Sequence, residues 1–183
     1  MFRRDPKFDN KKVLLVDDDV YLSKIIKSVL DILEVGSVTH VKSVKAGIEL
    51  FDSKYYDCVI VDCLKNGGKG FELIQAVRGG SDDAKIRTPV ILCTAFTEQQ
   101  NIYRARDMGV NEILAKPVSP DQILLKLNCA LYRQREFVQA PGYVGPCRRR
   151  RQIDWEGRED RRNPGGAAQG AIPAGNKKEA ANG

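Results

Sequence analysis

Five short apolar runs alternate strictly with five stretches whose apolar residues recur at helical spacing, and very few folds accommodate that order. The runs are Lys12 to Val16, Ser37 to Lys42, Cys58 to Val61, Pro89 to Cys93 and Glu112 to Ala115. Cys58-Val59-Ile60-Val61 is apolar without a break and rich in β-branched residues, which suits a strand buried on both faces of a parallel sheet. Between the runs, Leu22, Ile25, Ile26, Val29, Leu30 and Leu33 mark the inner stripe of an amphipathic helix that closes near Gly36. Helices are likewise expected from Ser43 to Ser53, with Val44, Ile48 and Phe51 inward, and from Gly70 to Arg78, burying Phe71, Ile74 and Val77. A fourth runs from Glu98 to Met108 and is closed by Gly109. The last starts at Ser119 as N-cap with Pro120 behind it, and buries Ile123, Leu124, Leu127 and Leu131. Strict β-α alternation with right-handed crossovers predicts a doubly wound α/β domain with a five-stranded parallel sheet over residues 11–137.

Composition narrows the functional classes. The 183 residues suit one domain with an appendage, and 42% apolar content is enough for a core. No apolar run approaches the ~18 residues of a membrane span, and the N-terminal residues 1–10, polar and expected to fray, lack the apolar segment of a secretory signal. Cysteines 58, 63, 93, 129 and 147 show no CxxC spacing and read as reduced thiols of a cytoplasmic protein. His40, the single histidine, reads as a rim residue of a strand with no relay partner, so histidine metal sites and catalytic triads have little material.

The strand ends carry the chemistry. The first run ends in Asp17-Asp18-Asp19, the third in Asp62, the fourth in Thr94 and the fifth in Lys116-Pro117. Ligands of open α/β sheets bind at the carboxyl ends of the strands. Asp62 alone would serve equally well as a cap for the glycine-rich loop Asn66-Gly67-Gly68-Lys69-Gly70. In company, the carboxylates repel one another unless a cation lies among them, and a hard oxygen-ligated ion such as Mg²⁺ fits. A carboxylate beside that ion can attack a phosphoryl group, whose oxygens then need the positive charge and donors that Lys116 and Thr94 offer.

Val13-Leu14-Leu15-Val16-Asp17-Asp18-Asp19, Val59-Ile60-Val61-Asp62, Val90-Ile91-Leu92-Cys93-Thr94-Ala95 and Ala115-Lys116-Pro117 together resemble the receiver domains of two-component response regulators, the CheY-like, flavodoxin-like fold. The resemblance implies that Asp62 accepts a phosphoryl group from a sensor histidine kinase or a histidine phosphotransfer protein. It implies that Asp17, Asp18 and Asp62 organise Mg²⁺ with the backbone carbonyl of Leu64, and that Thr94 and Lys116 bind the phosphoryl oxygens. Three positions depart from the family. Lys65-Asn66 and Lys69-Gly70 stand where Met-Pro and Asp-Gly are usual, which makes the loop more positive. Ile113 stands where an aromatic switch residue is usual. Leu64 and Phe96 put apolar side chains at positions that flank the phosphoryl group, where they would hinder water and prolong the phosphorylated state.

Rival patterns fail on single residues. A P-loop would need Gly at position 63 and Ser or Thr at 70, and these are Cys63 and Gly70. A haloacid-dehalogenase-like phosphatase would need a second Asp at the Leu64 position. Residues 138–183 are expected to form an Arg-rich, Gly/Ala/Pro-rich, largely disordered tail, carrying nine Lys or Arg against five Asp or Glu. Within it, Tyr143-Val144-Gly145-Pro146-Cys147-Arg148-Arg149 and Trp155-Glu156-Gly157 through Arg161-Arg162 resemble two copies of one motif. The expectation is a single-domain response regulator, a phosphorylation-controlled protein-binding switch with an unnamed downstream protein as target and no enzyme activity beyond its own phosphotransfer and dephosphorylation. The alternative is a nucleic-acid-binding adaptor that uses Arg148, Arg149, Arg150 and Arg151 on phosphates.

Overall fold

The computed structural model describes residues 8–62, 70–95 and 99–149. In chain order the elements are β1 (Lys12–Val16), α1 (Val20–Ile32), β2 (Ser37–Val41), α2 (Val44–Ser53), β3 (Cys58–Asp62), α3 (Gly70–Gly79), α4 (Asp83–Ile86), β4 (Val90–Thr94), α5 (Gln99–Asp107), β5 (Glu112–Ala115), α6 (Pro120–Tyr132), β6 (Phe137–Ala140) and β7 (Tyr143–Pro146). The first five strands form one parallel sheet in the order β2-β1-β3-β4-β5, as the alternation predicts. The chain leaves β1 toward β2 and returns to the other side at β3, so the topological switch point lies between β1 and β3.

Strand alternation distributes the apolar residues to two cores. Val13, Leu15, Cys58, Ile60, Ile91 and Leu114 face α1 and α6, where they meet Ile26, Leu30, Ile123 and Leu127. Leu14, Val16, Val59, Val61, Val90 and Leu92 face the other way, toward Phe51 of α2, Leu73, Ile74 and Val77 of α3, and Ala105 of α5. Almost all of these side chains lose contact with water completely, each contributing on the order of 1.5–3 kcal/mol. Helix starts are fixed by side-chain caps. Asp19 accepts from the Tyr21 and Leu22 amides, Ser43 from Ala46, and Ser119 forms a reciprocal capping box with Gln122. The third acid of Asp17-Asp18-Asp19 is therefore a helix cap.

Four expectations need correction. The N-terminal residues do not fray as far as position 10. Phe8 is buried against the α1–α6 core, with its ring 5.6 Å from that of Tyr132, because a phenyl side chain has more to gain there than in water. Ile25 is 47% exposed, leaving the inner stripe of α1 narrower than the periodicity suggested. A further short helix, α4, fills the α3–β4 connection, its Asp82 cap accepting from Ala84 and Lys85. Lastly, the boundary placed at residue 137 falls at the start of an antiparallel hairpin, β6–β7, that turns at Pro141-Gly142. The expected Trp155 motif and the arginines from Arg150 onward lie outside the described residues.

The hairpin is held by chemistry that periodicity does not report. Arg78 is buried, and among the described residues no carboxylate pairs with it. Instead its guanidinium donates to the carbonyls of Gly109 (2.9 Å), Ile86 (2.6 Å) and Thr88 (2.8 Å) and to Asn111 Oδ1 (2.8 Å). Burial pulls its pKa down to about 10, still far above neutrality, so the group stays charged. Phe137 of β6 lies over Arg78 and Arg87, at 5.6 and 4.9 Å from the ring centre. Arg135 donates to Asn111 O (2.6 Å) and to Cys147 O at the far end of the hairpin. Gly109 and Gly145 meet backbone to backbone. A Cβ on Gly109, whose φ is +82°, would lie 2.3 Å from Val144 O.

Gly109→Ala is therefore expected to destabilise the full chain by roughly 2–4 kcal/mol in urea unfolding. In a chain ended after Phe137 the Val144 clash is gone, and the cost should shrink to the roughly 1–2 kcal/mol of a positive-φ alanine. Equal costs in both chains would mean that the hairpin does not constrain Gly109.

Candidate functional site

Parallel pairing places the predicted site residues along one edge. Val16 pairs with Val61, Asp62 with Cys93, and Thr94 with Ala115, so Asp17, Asp62, Thr94 and Lys116 all fall at or one residue past the last rung of their ladders. Asp17, Asp18 and Asp62 each bring a carboxylate oxygen within 4.8 Å of the others. Lys116 Nζ stands 2.6 Å from Asp62 Oδ2. Thr94 is buried at the end of β4. Ile113, at the position of the usual aromatic, lines a small cavity behind Thr94 with Phe71, Leu92, Asn101, Ile102 and Ala105. Leu64 and Phe96, with Cys63, Lys65 and the rest of the β3–α3 loop, lie outside the described residues.

The electrostatics of the cluster are unbalanced. Asp17 is 3% exposed, and its Oδ1 accepts from the Asp19 amide at 2.8 Å while Oδ2 is buried without a hydrogen-bond partner. Asp62 spends Oδ2 on Lys116, and its Oδ1 is likewise buried and unpartnered. A buried polar atom without a partner costs about 1–3 kcal/mol, and two such oxygens point into one acidic cluster. Burial first, then the charges of Asp62 and Asp19, push the Asp17 carboxyl up to about 6, against the opposing pull of the Asp19 amide and Lys116. Hard oxygen donors, an excess of negative charge and two orphaned lone-pair sites fit a small divalent cation such as Mg²⁺. Those three carboxylates would hold it.

One neighbour escaped the sequence reasoning. His40, placed there at a strand rim without a partner, has its Nε2 at 2.9 Å from the backbone carbonyl of Asp17. Position in a strand two rungs from the edge could not reveal a contact to a backbone atom of the adjacent strand.

Sheet order and strand-end site together define a receiver-type α/β domain with an acidic edge at the carboxyl ends of its strands. Residues 13–128 match the response regulator receiver domain, and the chain, more than half of which is covered, belongs to that family. Over 138 residues it is 24% identical to the nisin biosynthesis regulatory protein NisR of Lactococcus lactis, spanning 75% of this chain and 58% of NisR. The chain thus spans about half the length of the curated relatives it matches. The fold is shared with chemotaxis protein CheY4 of Vibrio cholerae (TM-score 0.61, 24% identity, 67% of this chain and 99% of that one). It is shared too with the receiver domain of a Pseudomonas aeruginosa sensor histidine kinase (TM-score 0.58, 24% identity, 67% and 98%), which carries a magnesium ion coordinated in its active-site cleft. Receiver domains are phosphoacceptors rather than classical enzymes, and histidine kinases phosphorylate them. No helix among the described residues is long and apolar enough to cross a membrane.

The raised Asp17 pKa has a sign. Protonation of this group favours the folded state, a contribution complete below about pH 4 and lost as pH rises through about 6. Metal-free protein at pH 7.5 therefore carries an ionised Asp17 at a cost on the order of 2–3 kcal/mol. Asp17→Asn should melt about 5–10 °C higher than wild type in chelator at pH 7.5, lose that advantage at pH 4, and no longer gain stability from Mg²⁺. Thermal melts across pH, with and without the ion, measure all three.

Proposed function

We propose that the protein is a single-domain response regulator in which phosphorylation of Asp62 controls binding to a downstream protein. The observation that carries this is the pairing of Asp62 with Lys116 at 2.6 Å while its second oxygen stays buried and unpartnered among carboxylates. Asp62 attacks the phosphorus of a phosphohistidine on a sensor kinase or a histidine phosphotransfer protein. The new O–P bond replaces the P–N bond, and the departing imidazole takes up a proton. Mg²⁺, held by Asp17, Asp18, Asp62 and the Leu64 carbonyl, would supply the charge that draws electron density from the phosphoryl oxygens. Lys116 then moves its ion pair from Asp62 to a phosphoryl oxygen, and Thr94 donates its hydroxyl to another.

Output follows from Thr94. Drawn toward the phosphoryl group, it leaves the cavity lined by Phe71, Ile102 and Ile113, and β5 and α5 adjust around it. The branched Ile113 can shift in that space but offers no ring to swing, so the signal passes through the Thr94 loop and α5 rather than through an aromatic rotamer. The setting is the cytoplasm, where kinase and target meet. The arginine run supports the nucleic-acid alternative weakly at its described end, because Arg148 pairs with Asp107 at 3.4 Å and covers the Tyr143 ring at 4.1 Å, anchoring the hairpin.

Incubation with acetyl phosphate and Mg²⁺ should add one phosphoryl group to the intact mass of wild type and none to Asp62→Ala. An unmodified wild type that nevertheless binds Mg²⁺ would overturn the switch. Lys116→Met should still bind the ion but accumulate adduct at least tenfold more slowly, read from the same mass time course. Phe96→Glu should shorten the lifetime of the adduct several-fold by admitting water, which the decay of the phosphorylated mass reports.

A further inference from the structure

We infer that His40 is a positioning residue for the acidic site: from the neighbouring strand it clamps the peptide that joins Asp17 to Asp18. Both backbone groups of Asp17 go to β2. Its N–H donates to Val41 O at 3.0 Å, and its C=O accepts from His40 Nε2 at 2.9 Å. The regular β1–β2 ladder ends one residue earlier, with Val16 opposite Val41. The imidazole therefore extends the grip of β2 past the end of the ladder, onto the carbonyl of Asp17. A carbonyl can only accept, so Nε2 carries the proton.

The clamp sits where a restraint is needed. Asp17 and Asp18 flank the peptide whose carbonyl His40 holds, and their carboxylates lie within 4.8 Å of each other and of Asp62. Like charges at that range push the β1–α1 turn open. Within the turn, Asp17 Oδ1 is tied to the Asp19 amide, but Asp19 Oδ1 is committed to the start of α1. Fixing the Asp17 carbonyl fixes the peptide plane, and the peptide plane sets the direction in which Asp18 leaves the backbone. β2 is an edge strand and the least buried of the five, so nothing in core packing calls for a histidine at this point. His40 reaches the site through the Asp17 backbone rather than through the reacting oxygen, and acts through Asp17.

This inference rests on the Mg²⁺ role proposed above, and the test separates the two. Calorimetry of Mg²⁺ binding compares wild type, His40→Leu, which removes the donor but keeps the bulk, and His40→Gln, whose amide can reach the same carbonyl. The leucine variant should bind Mg²⁺ about fivefold more weakly, the loss of one hydrogen bond, and glutamine should restore binding to within about twofold. In acetyl phosphate reactions the leucine variant should need correspondingly more Mg²⁺ for half-maximal rate yet reach the wild-type rate at saturation. A general folding defect would lower that plateau instead. The single imidazole also permits a direct reading: ¹⁵N–¹H correlation of metal-free wild type at pH 8 should show the Nε2–H tautomer. Wild-type Mg²⁺ affinity in His40→Leu, or an Nδ1–H tautomer, overturns the clamp while leaving the phosphoacceptor role intact. Wild type that binds no Mg²⁺ overturns both.

Discussion

Every strand of a parallel sheet finishes at the same edge, and no apolar element can cover that edge completely because the loops must turn there. In this protein the constraint acts at the β1–β3 switch point, where the crossovers diverge to opposite faces and leave a crevice. The inner strands β1, β3 and β4 are buried on both faces and are apolar between their ends, and polar residues are admitted only where the strands run out. Asp17, Asp62, Thr94 and Lys116 are those residues. The two cores that flank the sheet hold their backbones rigidly enough to keep like charges together.

That rigidity is destabilising in itself. Two buried carboxylate oxygens lack hydrogen-bond partners, and Asp17 is held at a pKa near 6 by burial and by neighbouring acids. One lysine on Asp62 offsets part of this repulsion. The domain keeps an arrangement that its own stability disfavours, which is what the proposed cation and phosphoryl roles of the site would require. The proposed His40 clamp belongs to the same balance, resisting the outward push on the β1–α1 turn.

The remainder of the described chain shows a second use of buried charge, this time fully satisfied. Arg78 meets four acceptors and ties α3, α4, the entry to β4 and the α5–β5 turn into one unit, on which the β6–β7 hairpin settles through Phe137, Arg135 and the Gly109–Gly145 contact. None of this was legible from the sequence. Arg78 ends an amphipathic helix where a solvated arginine is the ordinary expectation, and its partners are carbonyls, which carry no side-chain signature. The hairpin segment is short, with Pro and Gly at its centre, and its strands are too brief for alternation to stand out. Phe8 was missed for a related reason: a single aromatic in a polar segment shows no period.

What the sequence determined by itself is the part governed by local rules. Hydrophobic period placed the five strands and the long helices, capping chemistry placed their starts, and parallel direction placed the acids, the threonine and the lysine at one edge. Which groups meet across elements is settled by the packing of the whole domain. Asp19 caps a helix while Asp17 and Asp18 turn toward Asp62, His40 reaches a backbone carbonyl on the adjacent strand, and Arg78 gathers acceptors from the end of α4, the α4–β4 turn and the α5–β5 turn. The physical reason is one of range. Periodicity and caps act over a few residues and leave a trace in composition, whereas the contacts of His40 with Asp17, Arg78 with Asn111 and Lys116 with Asp62 close between positions 23 to 54 residues apart, and they bind backbone as well as side chain.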